Sequence, residues 1–269
     1  MFIDSHAHLF FKDYQHDLDE VIKRARDEGI EYIINPGTDL ETSRKAIALA
    51  EKYDMVYSCV GFHPHDASKA DDKSLEEIEK LSYHPKVVAI GEIGLDYHYD
   101  FSPREIQRKV FAAQIEIAGR RNLPIVIHSR ESEEDVLSVT ESMMKANPTW
   151  RSRDENKLPR GVFHCFPGDV AMARKVIDWN FYISIPGPIT FTHKTKPNTM
   201  AEVVKEIPLE DILLETDSPY LTPVPLRGKR NEPANIPLIA KKIADIRQVD
   251  IQTVGKISSE NVKKLFGIT

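Results

Sequence analysis

The chain is poor in cysteine. Cys59 and Cys165 are its only two thiols, too few for a disulfide framework and without the paired CxxC spacing of a zinc site. A reducing cytoplasm is therefore the expected compartment. No apolar run approaches the roughly 20 residues that cross a bilayer, so a membrane partner is not expected. Nor does the start of the chain show the basic region and apolar stretch of a signal peptide. No GxGxxG follows the first apolar run, which removes the usual dinucleotide fingerprint. Excess positive charge is missing as well, with 36 Lys and Arg against 42 Asp and Glu. Proteins that grip polyanions over a broad surface are basic. Any nucleic acid here must be held by local charge, to which bound cations can contribute.

What is present is a rhythm. Short apolar runs recur as FIDSHAH (2–8), EYIINPG (31–37), MVYSCVGFH (55–63), VVAIGEIGLD (87–96), LPIVIHSR (123–130), GVFHCF (161–166), FYISIPG (181–187) and DILLETDSP (211–219). They are β-branched or aromatic and bounded by Gly, Pro or Asp, as buried strands are. Amphipathic segments lie between them, such as 17–29, with Leu18, Val21, Ile22 and Ala25 on one face, 40–53 and 103–121. Gly29 suits a helix end and Pro103 a helix start. Eight strand–helix units in roughly 250 residues predict a (β/α)8 TIM-type barrel, with residues 1–269 as a single domain. An open doubly wound sheet is the runner-up. Residues 147–160 read as a polar surface loop, 219–233 as a long Pro-rich, basic loop after the last strand, and 234–266 as two closing helices.

Ionisable residues mark the C-terminal ends of these runs: His6 and His8 on the first, His63 on the third, Glu92 on the fourth, His128 on the fifth, His164 on the sixth, Glu215 and Asp217 on the eighth. In a barrel those ends share the face where active sites form. Strand residues i and i+2 point the same way, so His6 and His8 can clamp one cation. Imidazole nitrogen suits zinc, manganese, iron or nickel, and a carboxylate can bridge two ions. Four histidines with Glu92 and Asp217 are too many ligands for one tetrahedral ion and suit two sharing a bridge. One HxH among ten histidines is unremarkable, but this chain has two, the second being His63 and His65. His65 is expected to be structural, and His16, His84, His98 and His193 to face solvent. Strand alternation is expected to turn Cys165 away from the pocket.

The segments FIDSHAHL (2–9), GFHP (61–64), GEIGLDYH (91–98), LPIVIHSR (123–130), FHCF (163–166), LLETDSPYL (213–221) and RGKRNEP (227–233) resemble, in order and along the whole chain, the TatD family of metal-dependent deoxyribonucleases within the amidohydrolase-like barrels. Phe10 and Pro167 depart from the family pattern, and the loop before His164 is longer; none of these is a candidate ligand. The resemblance implies one metal on His6, His8 and Asp217, a second on His128 and His164, and Glu92 bridging both. His63 and Glu215 match family positions near the phosphate or in activity. It further implies hydrolysis of DNA phosphodiester bonds, from the 3′ end of single strands, supported by two divalent cations such as Mg, Mn or Zn. Some relatives remove D-amino acids from tRNA.

On that basis Asp217 is expected to orient the attacking water and take its proton, and His63 to donate to a phosphate oxygen. Arg130 and Arg227, with Lys229 and Arg230, supply positive charge at the rim. Tyr97, Tyr220 or Phe62 would stack a base. A monomer is expected. Two rivals use the same barrel: a small-molecule amidohydrolase or lactonase, whose bridge is often a modified lysine where this chain has Glu92, and a non-enzymatic metal-binding scaffold.

Overall fold

A computed structural model describes residues 1–151, 158–191 and 198–269. His193 and the middle of the 147–160 loop lie outside the described residues. Eight strands run in the order of the sequence: β1 (Phe2–Asp4), β2 (Ile30–Pro36), β3 (Val56–Val60), β4 (Val87–Asp96), β5 (Ile125–Arg130), β6 (Gly161–Phe163), β7 (Phe181–Ile185) and β8 (Ile212–Leu214). Each pairs in parallel with the next. The ring closes between its first and last members. Ser5 N–H donates to the Leu214 carbonyl (3.0 Å), Asp217 N–H to that of His6 (2.9 Å) and His8 N–H to that of Ser218 (2.8 Å), around a parallel bridge between Ala7 and Ser218. The architecture is the (β/α)8 barrel expected from the sequence.

Helices α1 (Leu18–Asp27), α2 (Leu40–Lys52), α3 (Asp72–Leu81), α4 (Arg104–Arg121), α5 (Glu133–Ala146), α6 (Val170–Asp178), α7 (Thr199–Glu206), α8 (Ile236–Arg247) and α9 (Ile251–Phe266) are those of the described residues. Local chemistry sets their limits. In α1, Asp19 and Glu20 occupy the first turn and Arg24 and Arg26 the last, each sign opposing the helix dipole. The chain leaves α1 through Gly29 at φ +77°. Asp39 caps α2 by accepting the Thr42 N–H (2.8 Å), while Thr42 Oγ1 accepts the Asp39 N–H (2.8 Å). Val21, Ile22 and Ala25 are buried as the periodicity requires, and the tail forms α8 and α9.

Alternation along the strands builds the interior. Ile3, Ile34, Cys59, Val88, Val126, Val162, Tyr182 and Leu213, one from each strand, pack together over Val262, Leu265 and Phe266 of α9. Burying a side chain of this kind contributes ~1.5–3 kcal/mol. Two residues further along four of the strands, the same parity brings His128, His164, Ser184 and Glu215 to the C-terminal mouth.

Several expected boundaries change. β1, β6 and β8 end at Asp4, Phe163 and Leu214, so His6, His8, His164 and Asp217 sit just past the ladder, where the backbone turns to form the mouth. The ends of the 147–160 segment are not surface loop. Trp150 is buried and donates its indole N–H to the Leu123 carbonyl (2.8 Å). The buried Arg151 donates to the carbonyls of Pro159 and Leu265, and sequence pattern cannot foresee a basic side chain satisfying chain ends beneath a barrel.

Gly94 lies in β4 at φ +145°, paired with His128, and a Cβ there would fall 2.0 Å from the His128 carbonyl oxygen. Gly94→Ala is expected to cost about 1–3 kcal/mol, read as a lower denaturation midpoint. A midpoint equal to that of the native protein would show that β4 tolerates a side chain there.

Candidate metal centre

Glu92 stands at the centre of the mouth, almost fully buried. Its two oxygens face different partners. Oε2 lies 3.3 Å from His6 Nε2 and 3.4 Å from His8 Nε2. Oε1 lies 2.9 Å from His128 Nδ1, 2.9 Å from His164 Nε2 and 3.4 Å from His63 Nε2. Within each half the ring nitrogens approach one another: His6 Nε2 and His8 Nε2 are 3.1 Å apart, His128 Nδ1 and His164 Nε2 3.2 Å. Asp217 adds Oδ1 to the first half at 3.9 Å from His6 Nε2 and 3.7 Å from His8 Nε2. The residues drawn from six separate apolar runs therefore converge.

Neighbouring groups fix which nitrogen is free. His8 Nδ1–H donates to the Pro36 carbonyl (3.1 Å), leaving a lone pair on Nε2. His128 Nε2–H donates to Asp96 Oδ2 (3.0 Å), leaving one on Nδ1. Glu215 is fully buried behind His164. Its Oε1 accepts the Cys165 N–H (2.5 Å) and lies 3.6 Å from His164 Nδ1; its Oε2 accepts the Ser184 hydroxyl (2.6 Å). Asp4 ties the two ends of the ring, accepting the N–H of His6 (3.2 Å) and both the N–H (2.9 Å) and the hydroxyl (2.5 Å) of Thr216.

Electrostatics follow from this crowding. Burial pushes the Glu92 carboxyl up, but His164, His63 and His6 with the His128 hydrogen bond overcome it and hold it well below the usual range. Burial pushes His128 and His164 down; Asp96 and Glu92 outweigh it at His128, and Glu92 and Glu215 at His164, so both end raised. Burial, helped by His164, brings His6 down to about 4 against the pull of Glu92, the neutral form a metal ligand needs. Burial, with Glu92 and Glu215 adding, lifts Asp217 to about 6. His63 is brought down to about 4 by burial. Its Nδ1 accepts the His65 N–H (3.1 Å), so neutral His63 carries its proton on Nε2, toward Glu92.

This donor set fits divalent cations. Imidazole nitrogens, with lone pairs fixed at His8 and His128, meet a carboxylate oxygen at near-contact distance; His6, His8 and Glu92 form one compact group, His63, Glu92 and His128 a second, and His6, His164 and Glu215 a third that joins the two halves. A positive ion satisfies the same demand that raises His128 and His164.

Other expectations meet the structure unevenly. Arg130 is exposed at the mouth end of β5, its guanidinium 4.8 Å over the Tyr99 ring, with no ion pair to a described residue. Arg227 is exposed and covers Phe191 at 4.3 Å. Arg230 is not free rim charge: it pairs with both Asp17 oxygens at 2.7 Å. Tyr97 is not free to stack, since its hydroxyl donates to Asp135 (2.5 Å) and the Arg104 guanidinium covers its ring at 4.4 Å. Phe62 is buried, whereas Tyr220 is exposed beside Phe11. His65 lies 3.0 Å from Asp96 Oδ2, sharing it with His128. His16 and His98 are exposed and His84 is half-buried. Cys165 lies past β6 at φ +44°, where alternation no longer sets direction. Burial and the charges of Glu215, Asp217 and Glu92 push its thiol well up, so it offers no thiolate.

Sequence reasoning missed Asp96. The signal was there: Glu92 and Asp96 are the two carboxylates of the buried run VVAIGEIGLD, an even number of residues apart. Pro36 and Ser184 had no such signal, because one acts through its carbonyl and the other through a hydroxyl among many.

A parallel (β/α)8 barrel with a histidine- and carboxylate-lined mouth defines the class of this protein. The family described as TatD related DNase matches residues 3–267, and the chain belongs to that family. It is 44% identical over 268 residues to the "Uncharacterized metal-dependent hydrolase YabD" of Bacillus subtilis strain 168, covering all of both chains. It is 35% identical over 269 residues to the "3'-5' ssDNA/RNA exonuclease TatD" of Escherichia coli K12, covering 98% of each. The crystal structure of YJJV, a TATD homolog from Escherichia coli K12, superposes with a TM-score of 0.88 at 29% identity, covering 100% of this chain and 98% of that one.

Asp96→Asn is expected to leave the fold intact and to weaken metal binding about 10–100-fold, as loss of a carboxylate orienting a ligand imidazole does. Calorimetric titration with Zn or Mn checks this. Unchanged affinity would mean His128 needs no partner.

Proposed function

We propose that this chain is a metal-dependent hydrolase that cleaves phosphodiester bonds of DNA, working from the 3′ end of single strands. One observation carries the reading: the two oxygens of Glu92 divide four imidazoles into two pairs. That division is the arrangement a carboxylate bridging two cations requires. His6, His8 and Asp217 would hold one, His128 and His164 the other. Magnesium, manganese and zinc all suit the set. When bound there, two such cations would supply positive charge against the negative charge developing on phosphate oxygens and would lower the pKa of a water in the site.

The chain's own residues do the rest. Asp217, with its side chain partly open to the mouth, orients the attacking water and accepts its proton. The Nε2–H of His63 donates to a phosphate oxygen. Glu215 and Asp96 hold His164 and His128 in place. Arg130 and Arg227 offer charge to flanking phosphates, which answers the acidic balance of the whole chain. The name of the Escherichia coli relative supports a single-stranded nucleic acid, DNA or RNA, as substrate. No helix among the described residues is long and apolar enough to cross a membrane.

End-labelled single-stranded and duplex DNA, digested with Mg, Mn or Zn and again with chelator, tests the proposal. Stepwise shortening from the 3′ end, faster on single strands and abolished by chelation, is expected. Turnover of amides or lactones with none of DNA would replace it with the small-molecule reading. His128→Ala should abolish hydrolysis and lower bound metal while leaving the circular dichroism unchanged. A metal-replete His128→Ala protein with full activity would remove the second cation from the account.

A further inference from the structure

The loop between β4 and α4 carries two exposed aromatic rings beside the metal centre. Tyr99 is 49% and Phe101 66% exposed. Single exposed aromatics are ordinary on a protein surface, but these two stack on one another, with centroids 5.2 Å apart and planes 3° from parallel. They stand edge-on to His65 at 5.6 and 4.9 Å, and the His65 ring is 6.4 Å from that of His128. The pair thus lies one imidazole outside a candidate metal ligand.

The backbone that presents the rings is pinned. Asp96 Oδ1 accepts the N–H of His98 (3.0 Å) and of Tyr99 (3.3 Å). Ser102 Oγ donates to the His65 carbonyl (2.9 Å) and accepts the Ser68 N–H (3.0 Å). Gln107 Nε2 donates to the carbonyls of Ser102 (2.8 Å) and Asp96 (3.0 Å). The other oxygen of Asp96 is the one that holds His128. One carboxylate therefore sets the rings in register with the centre. Over Tyr99 lies the guanidinium of Arg130, which has no described carboxylate partner.

We propose that Tyr99 and Phe101 form a stacking platform for an unpaired base of a single-stranded nucleic acid, with Arg130 meeting the phosphate next to that base. The assignment rests on the phosphodiesterase reading above and adds what selects the strand. Aromatic faces beside a cationic group are what binders of single strands combine, and they accept any base because every base has a π-face. In a duplex the bases are stacked on one another and cannot lie on the platform, so the device favours unpaired ends. Neither ring belongs to the buried core cluster, so removing them is expected to leave the fold standing.

The test measures binding by the metal-loaded protein, using fluorescence anisotropy of a labelled phosphorothioate oligothymidylate that resists cleavage. The Tyr99→Ala/Phe101→Ala double variant is expected to bind about tenfold more weakly or worse, as lost base–aromatic stacking would give, and Tyr99→Phe to bind as the native protein does. An abasic oligonucleotide of equal length should bind native protein and double variant alike. Equal affinity of both proteins for the oligothymidylate overturns the platform, as does an equal loss on the abasic strand or failure of the native protein to bind either. Tight, ring-dependent binding by a protein that hydrolyses no nucleic acid overturns the phosphodiesterase reading and leaves the platform standing.

Discussion

A buried carboxylate surrounded by imidazoles is the constraint on which the rest of this structure depends. An isolated charge at the position of Glu92 would be expelled by desolvation. It persists because five histidines approach its two oxygens from four separate parts of the barrel. His128 and His164 follow their strands in the parity set by the apolar layer beneath, whereas His6 and His8 reach the mouth just past the end of β1. The packed interior of Ile34, Val126, Val162 and Leu213 is in this sense the foundation of the chemistry.

Behind the imidazoles stands a second ring of groups that decides which nitrogen faces inward. The Pro36 carbonyl orients His8, Asp96 orients His128, and Glu215, held by Ser184 and the Cys165 amide, backs His164. Residues of the two rings come from different strands, so the orientation of each imidazole is coupled to its neighbour's register. Asp96 extends that coupling outward, through His65 and the Tyr99 amide, to the rim.

The barrel was legible in the sequence because its signal is additive: eight apolar runs, each bounded by turn residues, point to the same topology. The inward cluster was legible for a related reason, since a titratable residue at the end of an apolar run has little else to do. What stayed hidden depends on contacts between distant segments. Arg230 reads as a rim cation until Asp17, far away in the chain, is seen to neutralise it. Tyr97 and Tyr99 are near neighbours in one loop, yet Asp135 and Arg104 hold the first, while the second stands half exposed between Arg130 and Phe101. Strand ends were overestimated at β1, β6 and β8 because the polar residues that leave the ladder keep the composition of the strand.

The closure of the ring carries one more consequence. Asp4 and Thr216 are 212 residues apart and joined by a hydrogen bond, and the amide of Asp217 binds the carbonyl of His6. During synthesis the first histidines leave the ribosome long before the strand that completes their surroundings. The half of the mouth built on His6, His8 and Asp217 is therefore finished only when the polypeptide has met its own beginning.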